Sequence, residues 1–148
     1  MTRTLCMAAA QTGNVSLEST DAMLQTAAGL IDRAHEQGVQ LLVFPELFLT
    51  PFFACRLEAD FDRYFMRPDD TRVTKLQNHA ASRGMALGLP LAERSDDGYY
   101  NSAVVSDEHG SVIGIYRKTH IPAYFPNDKP GGTGSYEKFY FSPGRDLP

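Results

Sequence analysis

Only two cysteines, Cys6 and Cys55, occur in the 148 residues. That is too few for a disulfide framework, and they have no metal-site spacing, so a cytoplasmic setting with no metal is the expectation. Neither sign of charge is in large excess. Fourteen Lys and Arg face 18 Asp and Glu, for a net charge of -4. No dense basic patch occurs, which argues against nucleic acid as a partner. Long hydrophobic runs are also missing, and the longest is far too short to span a membrane. The opening MTRTLCMAAAQ has an Arg followed by an apolar run, as a leader would, but the run Leu5–Ala10 is too short for a leader core and stops at Gln11. Internal repeats and low-complexity tracts are absent.

What remains is an ordinary globular composition, 43% apolar and 22% charged, long enough for one domain. Residues 4–11 read as a short buried strand. Over 17–37, Met23, Ala27, Leu30, Ile31 and Ala34 recur at helical spacing, and Gly38 is placed to end the helix. The run LLVF at 41–44 fits a strand buried on both faces, stopped by Pro45. Residues 51–68 are irregular and aromatic-rich. Residues 69–83 read as a second helix, with acids at its start, Arg83 at its end and Gly84 beyond. MALGLPL at 85–91 is a third strand, and 92–99 a polar loop. YNSAVVS and SVIGIYRK form two more strands, joined by a turn at Asp107–Gly110. Residues 125–135 are a loop. The order β-α-β-α-β-β-β predicts an α/β protein with chemistry at its strand ends.

Two candidates stand at strand ends. Glu46 lies inside VFPELFLTPFF, where a carboxylate needs a partner and where burial would raise its pKa toward that of a useful general base. Lys118 ends GIYRKTHIP, and a fixed ammonium there can stabilise an oxyanion. Glu137 is set among aromatics in YEKFYF, as Glu46 is. His120 is read as a structural or loop residue. Cys55 is read as a small lining thiol, not a nucleophile, because Arg56 is the only basic neighbour in its sequence context.

The segments FPELFLTPFF, YNSAVVSDEHGSVIGIYRKTHIP and YEKFYFSPG, in this order, resemble the nitrilase superfamily of carbon–nitrogen hydrolases, and within it the N-carbamoylputrescine amidase branch. The resemblance implies an α/β fold forming the N-terminal half of an α-β-β-α four-layer sandwich, with residues 1–148 a partial hydrolase domain. It implies a Glu-Lys-Cys triad in which Glu46 matches the general base, Lys118 the oxyanion-stabilising lysine and Glu137 a supporting second glutamate. The substrate implied is a small carbamoyl or amide compound, the full-length form a homo-oligomer, and no cofactor is called for. The family's nucleophilic cysteine follows the FSPG element. Neither Cys6 nor Cys55 matches it, so these 148 residues alone are expected to be inactive. Two departures stand out: 123–135 is longer than in the branch, and the tail GRDLP differs from the family continuation. The alternatives are a non-catalytic short paralogue acting as a binding or assembly module, and an amidase for another substrate such as an N-carbamoyl amino acid or ureidopropionate.

Overall fold

The computed structural model describes residues 4–16, 20–123 and 134–145. Most of the loop expected at 125–135, the first residues of the helix expected from 17, and the end of the GRDLP tail lie outside them. The elements run β1 (Met7–Ala9), α1 (Thr20–Glu36), β2 (Leu41–Val43), two single 3-10 turns at Phe53–Cys55 and Asp62–Tyr64, α2 (Thr71–Ala81), β3 (Ala86–Ser95), β4 (Gly98–Ser106), β5 (Val112–Arg117) and a short α3 (Glu137–Tyr140). The strands form one five-stranded sheet in sequence order. β1, β2 and β3 run parallel, and β4 and β5 are added antiparallel.

The helices form where the sequence spacing placed them. Met23, Ala27, Ile31 and Ala34 are the buried stripe of α1. Gly38 turns out of it at a φ of 73°, its N–H closing onto His35 O. α2 is capped by Asp70, whose carboxylate accepts from Arg72 N at 2.9 Å. Gly84 follows it at a φ of 63°. Both helices pack into one cluster with Leu42, Leu87, Leu89, Leu91 and Val104. Residues two apart on β3 share a face, so this cluster covers one side of the sheet.

The other side is largely uncovered, which corrects two expectations. Residues 4–11 do not make a buried strand: only Met7–Ala9 pair, and Met7 is 58% exposed. LLVF is covered on one face only, with Leu42 buried and Val43 exposed. Their composition asks for cover on both faces, and the described residues supply it on one.

The polar loop expected at 92–99 is instead mostly strand. β3 continues to Ser95, a two-residue turn at Asp96–Asp97 reverses the chain, and Gly98 opens β4 at a φ of 152°. The polar letters are tied to distant partners: Glu93 to Arg117, and Arg94 to Asp62. Beside the end of β3, Met66 N bonds Ala92 O and Arg94 N bonds Met66 O, which docks the aromatic segment onto the sheet.

Candidate active site

Each charged candidate is delivered by a strand or turn end. β2 ends at Val43, and Pro45 breaks the strand. Glu46 then enters a turn in which Leu47 takes a φ of 53°, a region L-residues visit at a cost. That turn is closed by Thr50 N bonding to Leu47 O and held by the burial of Leu47 among Phe53, Tyr64 and Tyr140. Lys118 follows β5, and its N–H bonds Asn101 O on β4 at 2.8 Å. Glu137 begins α3. That helix is fixed by Tyr140, whose hydroxyl donates to Arg56 O and accepts from Glu58 N.

The three side chains converge. Lys118 Nζ donates to Glu46 Oε1 at 2.9 Å and to Glu137 Oε2 at 2.9 Å. Glu137 is 6% exposed, and its other oxygen accepts from Ser135 Oγ at 3.2 Å. Asn101 Nδ2 donates to Glu46 Oε1 at 2.6 Å. Among the described residues no hydrogen bond reaches Glu46 Oε2, so one carboxylate oxygen is doubly held and the other is free to take a proton. An ammonium has three donors, and among the described residues Lys118 uses two of them. A polar groove of about 390 Å³ runs past Glu46, lined in part by Thr12, Asn14, Thr50 and Phe52.

Asn101 is the residue that sequence reading missed. Its signal was present: Asn is depleted in strands, and one placed inside YNSAVVS needs a reason. His120 is exposed, bonded to Thr119 Oγ1 and to none of the three charged residues. Cys6 precedes β1, and its O accepts from Gln40 N just before β2, at the opposite end of the parallel strands from Glu46. Cys55 Sγ bonds locally to Phe52 O at 3.1 Å, and no hydrogen bond links it to the charged triad.

The electrostatics correct one further expectation. Burial pushes the Glu46 carboxyl up, as anticipated. The hydrogen bonds from Lys118 and Asn101, with the Lys118 charge, outweigh it and hold the carboxyl below its ordinary value of 4.5. Burial pulls the Lys118 ammonium down, while Glu137 and Glu46 together raise it above 10.5. A lowered carboxyl stabilises the fold fully above about 4.5, and that contribution is lost as pH falls through its depressed value. A raised lysine contributes fully below about 10.5 and loses its effect as pH rises past its raised value. The stability gap between the wild type and Glu46→Gln is therefore expected to be constant at neutral pH and to shrink below about pH 4.5. Denaturant midpoints taken from pH 7 to pH 3 check this; a gap that stays constant down to pH 3 contradicts it.

The segment after α3 closes the site from behind. Ser142 N bonds Tyr99 O, and Gly144 N bonds Lys118 O at 2.9 Å. A Cβ at Gly144 would stand 2.1 Å from Arg117 O, so only glycine allows this approach. Gly144→Ala is expected to lower stability by about 1–3 kcal/mol through overpacking, read as a fall in the urea midpoint. An unchanged midpoint contradicts the close docking.

The strand and turn ends of a mixed sheet thus gather a Glu46–Lys118–Glu137 cluster. The carbon-nitrogen hydrolase family model matches residues 6–148, and the chain belongs to that family. It is 32% identical over 120 residues to N-carbamoylputrescine amidase from Solanum lycopersicum, covering 80% of this chain and 37% of that protein. It is 31% identical over 115 residues to a citrullinase from Francisella tularensis, covering 77% of this chain and 37% of that protein. Among solved structures it is similar to a glutamate-to-glutamine mutant of the amidase from Nesterenkonia sp. AN1, which carries covalent addition of the acetamide moiety of fluoroacetamide at its active-site cysteine. That match has a TM-score of 0.73 at 27% identity and covers 96% of this chain and 49% of that one. The chain thus spans less than half the length of these relatives. No helix among the described residues is long and apolar enough to cross a membrane.

Proposed function

We propose that residues 1–148 supply the base-and-lysine side of a carbon–nitrogen hydrolase active site acting on an N-carbamoyl amine such as N-carbamoylputrescine, with amine, CO2 and ammonia as products. One observation carries the reading: Lys118 bridges two carboxylates, and among the described residues one oxygen of Glu46 takes no hydrogen bond. In this mechanism Glu46 Oε2 takes the proton of a cysteine thiol. The thiolate attacks the carbamoyl carbon, and the oxyanion is met by the remaining Lys118 donor. Glu137 holds the lysine. Protonated Glu46 then passes its proton to the first leaving nitrogen, water cleaves the resulting S-carbamoyl enzyme in a second, mirrored step, and the carbamic acid released loses CO2 to free the second nitrogen. The lowered carboxyl keeps Glu46 ionised at neutral pH, so proton uptake depends on a thiol that the Lys118 charge makes more acidic.

The nucleophile belongs to the part of the family domain that the chain does not match, so the chain alone is read as inactive and the working enzyme as a cytoplasmic homo-oligomer. A link to polyamine metabolism follows from the carbamoylputrescine reading alone. The similarity to a citrullinase favours a second substrate reading, an N-carbamoyl amino acid or ureidopropionate, with the same ureido carbon and a different tail. A substrate panel separates the two. With residues 1–148 joined to a C-terminal hydrolase half, N-carbamoylputrescine is expected to give the highest kcat/KM. A preference for citrulline or ureidopropionate moves the assignment to the amino acid class, and no turnover of any ureido compound or amide removes both.

A further inference from the structure

Strand β5 is poorly anchored for the task it performs. Val112, Ile113, Ile115 and Tyr116 are all exposed, and among the described residues the strand has β4 alone as a partner in the sheet. Its register against β4 shifts at a bulge, from Val105↔Gly114 to Ser106↔Val112, so the hairpin turn does not set the far end. Yet Lys118, one residue past β5, meets two carboxylates at 2.9 Å.

Backbone bonds of Lys118 to Asn101 and Gly144 hold the main chain at the far end, and the side chain that holds it is Arg117. Its guanidinium donates Nε to Glu93 Oε2 at 3.0 Å and Nη2 to Glu93 Oε1 at 2.5 Å. It also donates to Ser95 Oγ at 2.9 Å and lies 3.9 Å over the Tyr100 ring. Glu93 is 2% exposed and takes a further bond from Ser102 Oγ. Consecutive strand residues point to opposite faces. Pairing of Ala92 with Asn101 and of Glu93 with Tyr100 on β3 and β4, and of Ser102 with Arg117, puts Glu93, Tyr100, Ser102 and Arg117 on one face. Asn101 and Lys118 then lie on the other. A fork that fixes Arg117 in two dimensions therefore fixes Lys118 behind it.

We propose that the pair of buried Glu93 with partly exposed Arg117 is the positioning element of this site: it sets the end register of β5 and thereby places the Lys118 ammonium between Glu46 and Glu137. A buried carboxylate such as Glu93 is costly without a partner, and register specification is the best-attested use of such an ion pair. The inference rests on the reading of Lys118 as the oxyanion-stabilising residue.

Competitive labelling of residues 1–148 joined to a C-terminal hydrolase half, with trace acetic anhydride and read lysine by lysine by mass spectrometry, tests it without needing activity. Exposed Lys75 and Lys138 are internal references. In the wild type Lys118 is expected to be the slowest of the three. In Glu93→Gln, and in Arg117→Lys, which keeps the charge but loses the fork, Lys118 alone is expected to speed up by about threefold, the effect of half a pKa unit. Ser95→Ala removes one bond to Arg117 without touching Glu93 and is expected to give a smaller rise at Lys118; it decides the matter if the other variants aggregate. An unchanged Lys118 ratio, or a rise shared equally by all three lysines, overturns the positioning role and leaves the site reading intact. A wild-type Lys118 as reactive as Lys75 overturns both.

Discussion

Incubated with N-carbamoylputrescine or a simple amide, the 148-residue chain is expected to release ammonia no faster than the uncatalysed background. Glu46 and Lys118 are already paired, 2.9 Å apart, so the expectation does not depend on a disordered site. It depends on the missing attack. Covalent catalysis splits one difficult step into two easier ones, and without a thiol near Glu46 Oε2 neither step begins. Cys6 sits at the wrong end of the strands, and Cys55 is tied to its own turn. Residual rate from an oxyanion site alone falls short of the whole by several orders of magnitude in enzymes of this kind. Ammonia release well above background, or an acyl adduct on Cys55 detected by intact mass, contradicts the expectation.

The second large effect concerns the bare sheet face. Met7, Val43 and Tyr116 lie on the side away from the helices and are exposed by 58%, 37% and 41%. Leu5, Val112, Ile113 and Ile115 add exposed apolar surface along the two sheet edges. Contiguous apolar surface with open strand edges drives association. Alone in solution the chain is therefore expected to elute as an oligomer or to precipitate, and to enhance the fluorescence of an apolar dye. Co-expression with a C-terminal hydrolase half is expected to abolish both effects. A dilute monomer with a sharp thermal transition and no dye binding shows that these residues need no cover, and contradicts the account.

Local signals carried most of the fold into view. The spacing of Met23, Ala27, Ile31 and Ala34 marks α1 directly, and Gly38 and Gly84 end the helices because a positive φ costs glycine nothing. Glu46 and Lys118 stood out because charge beside apolar strand residues is expensive without a partner. What failed to show depends on partners far along the chain. Glu93 and Arg94 look like loop residues until Arg117 and Asp62 are placed beside them. Asn101 in a strand was a visible anomaly, but its purpose emerges only with Glu46 at 2.6 Å. The direction of the Glu46 shift was misjudged for the same reason, because burial is legible locally and two distant donors are not. β1 read as buried because an apolar run reports the cover it wants, not the cover the described residues provide.

The role proposed for Glu46 is that of proton acceptor in a carbon–nitrogen hydrolase site. The most direct test joins residues 1–148 to the C-terminal half of an N-carbamoylputrescine amidase, so that a cysteine is supplied, and compares ammonia release with Glu46 and with Glu46→Gln. Glutamine preserves an acceptor for Lys118 and Asn101 but cannot take a proton. Turnover is expected in the parent hybrid, with a kcat lower by about 10²–10⁴-fold in the variant. A folded hybrid with no turnover, or a Glu46→Gln variant that keeps the parent kcat, contradicts it.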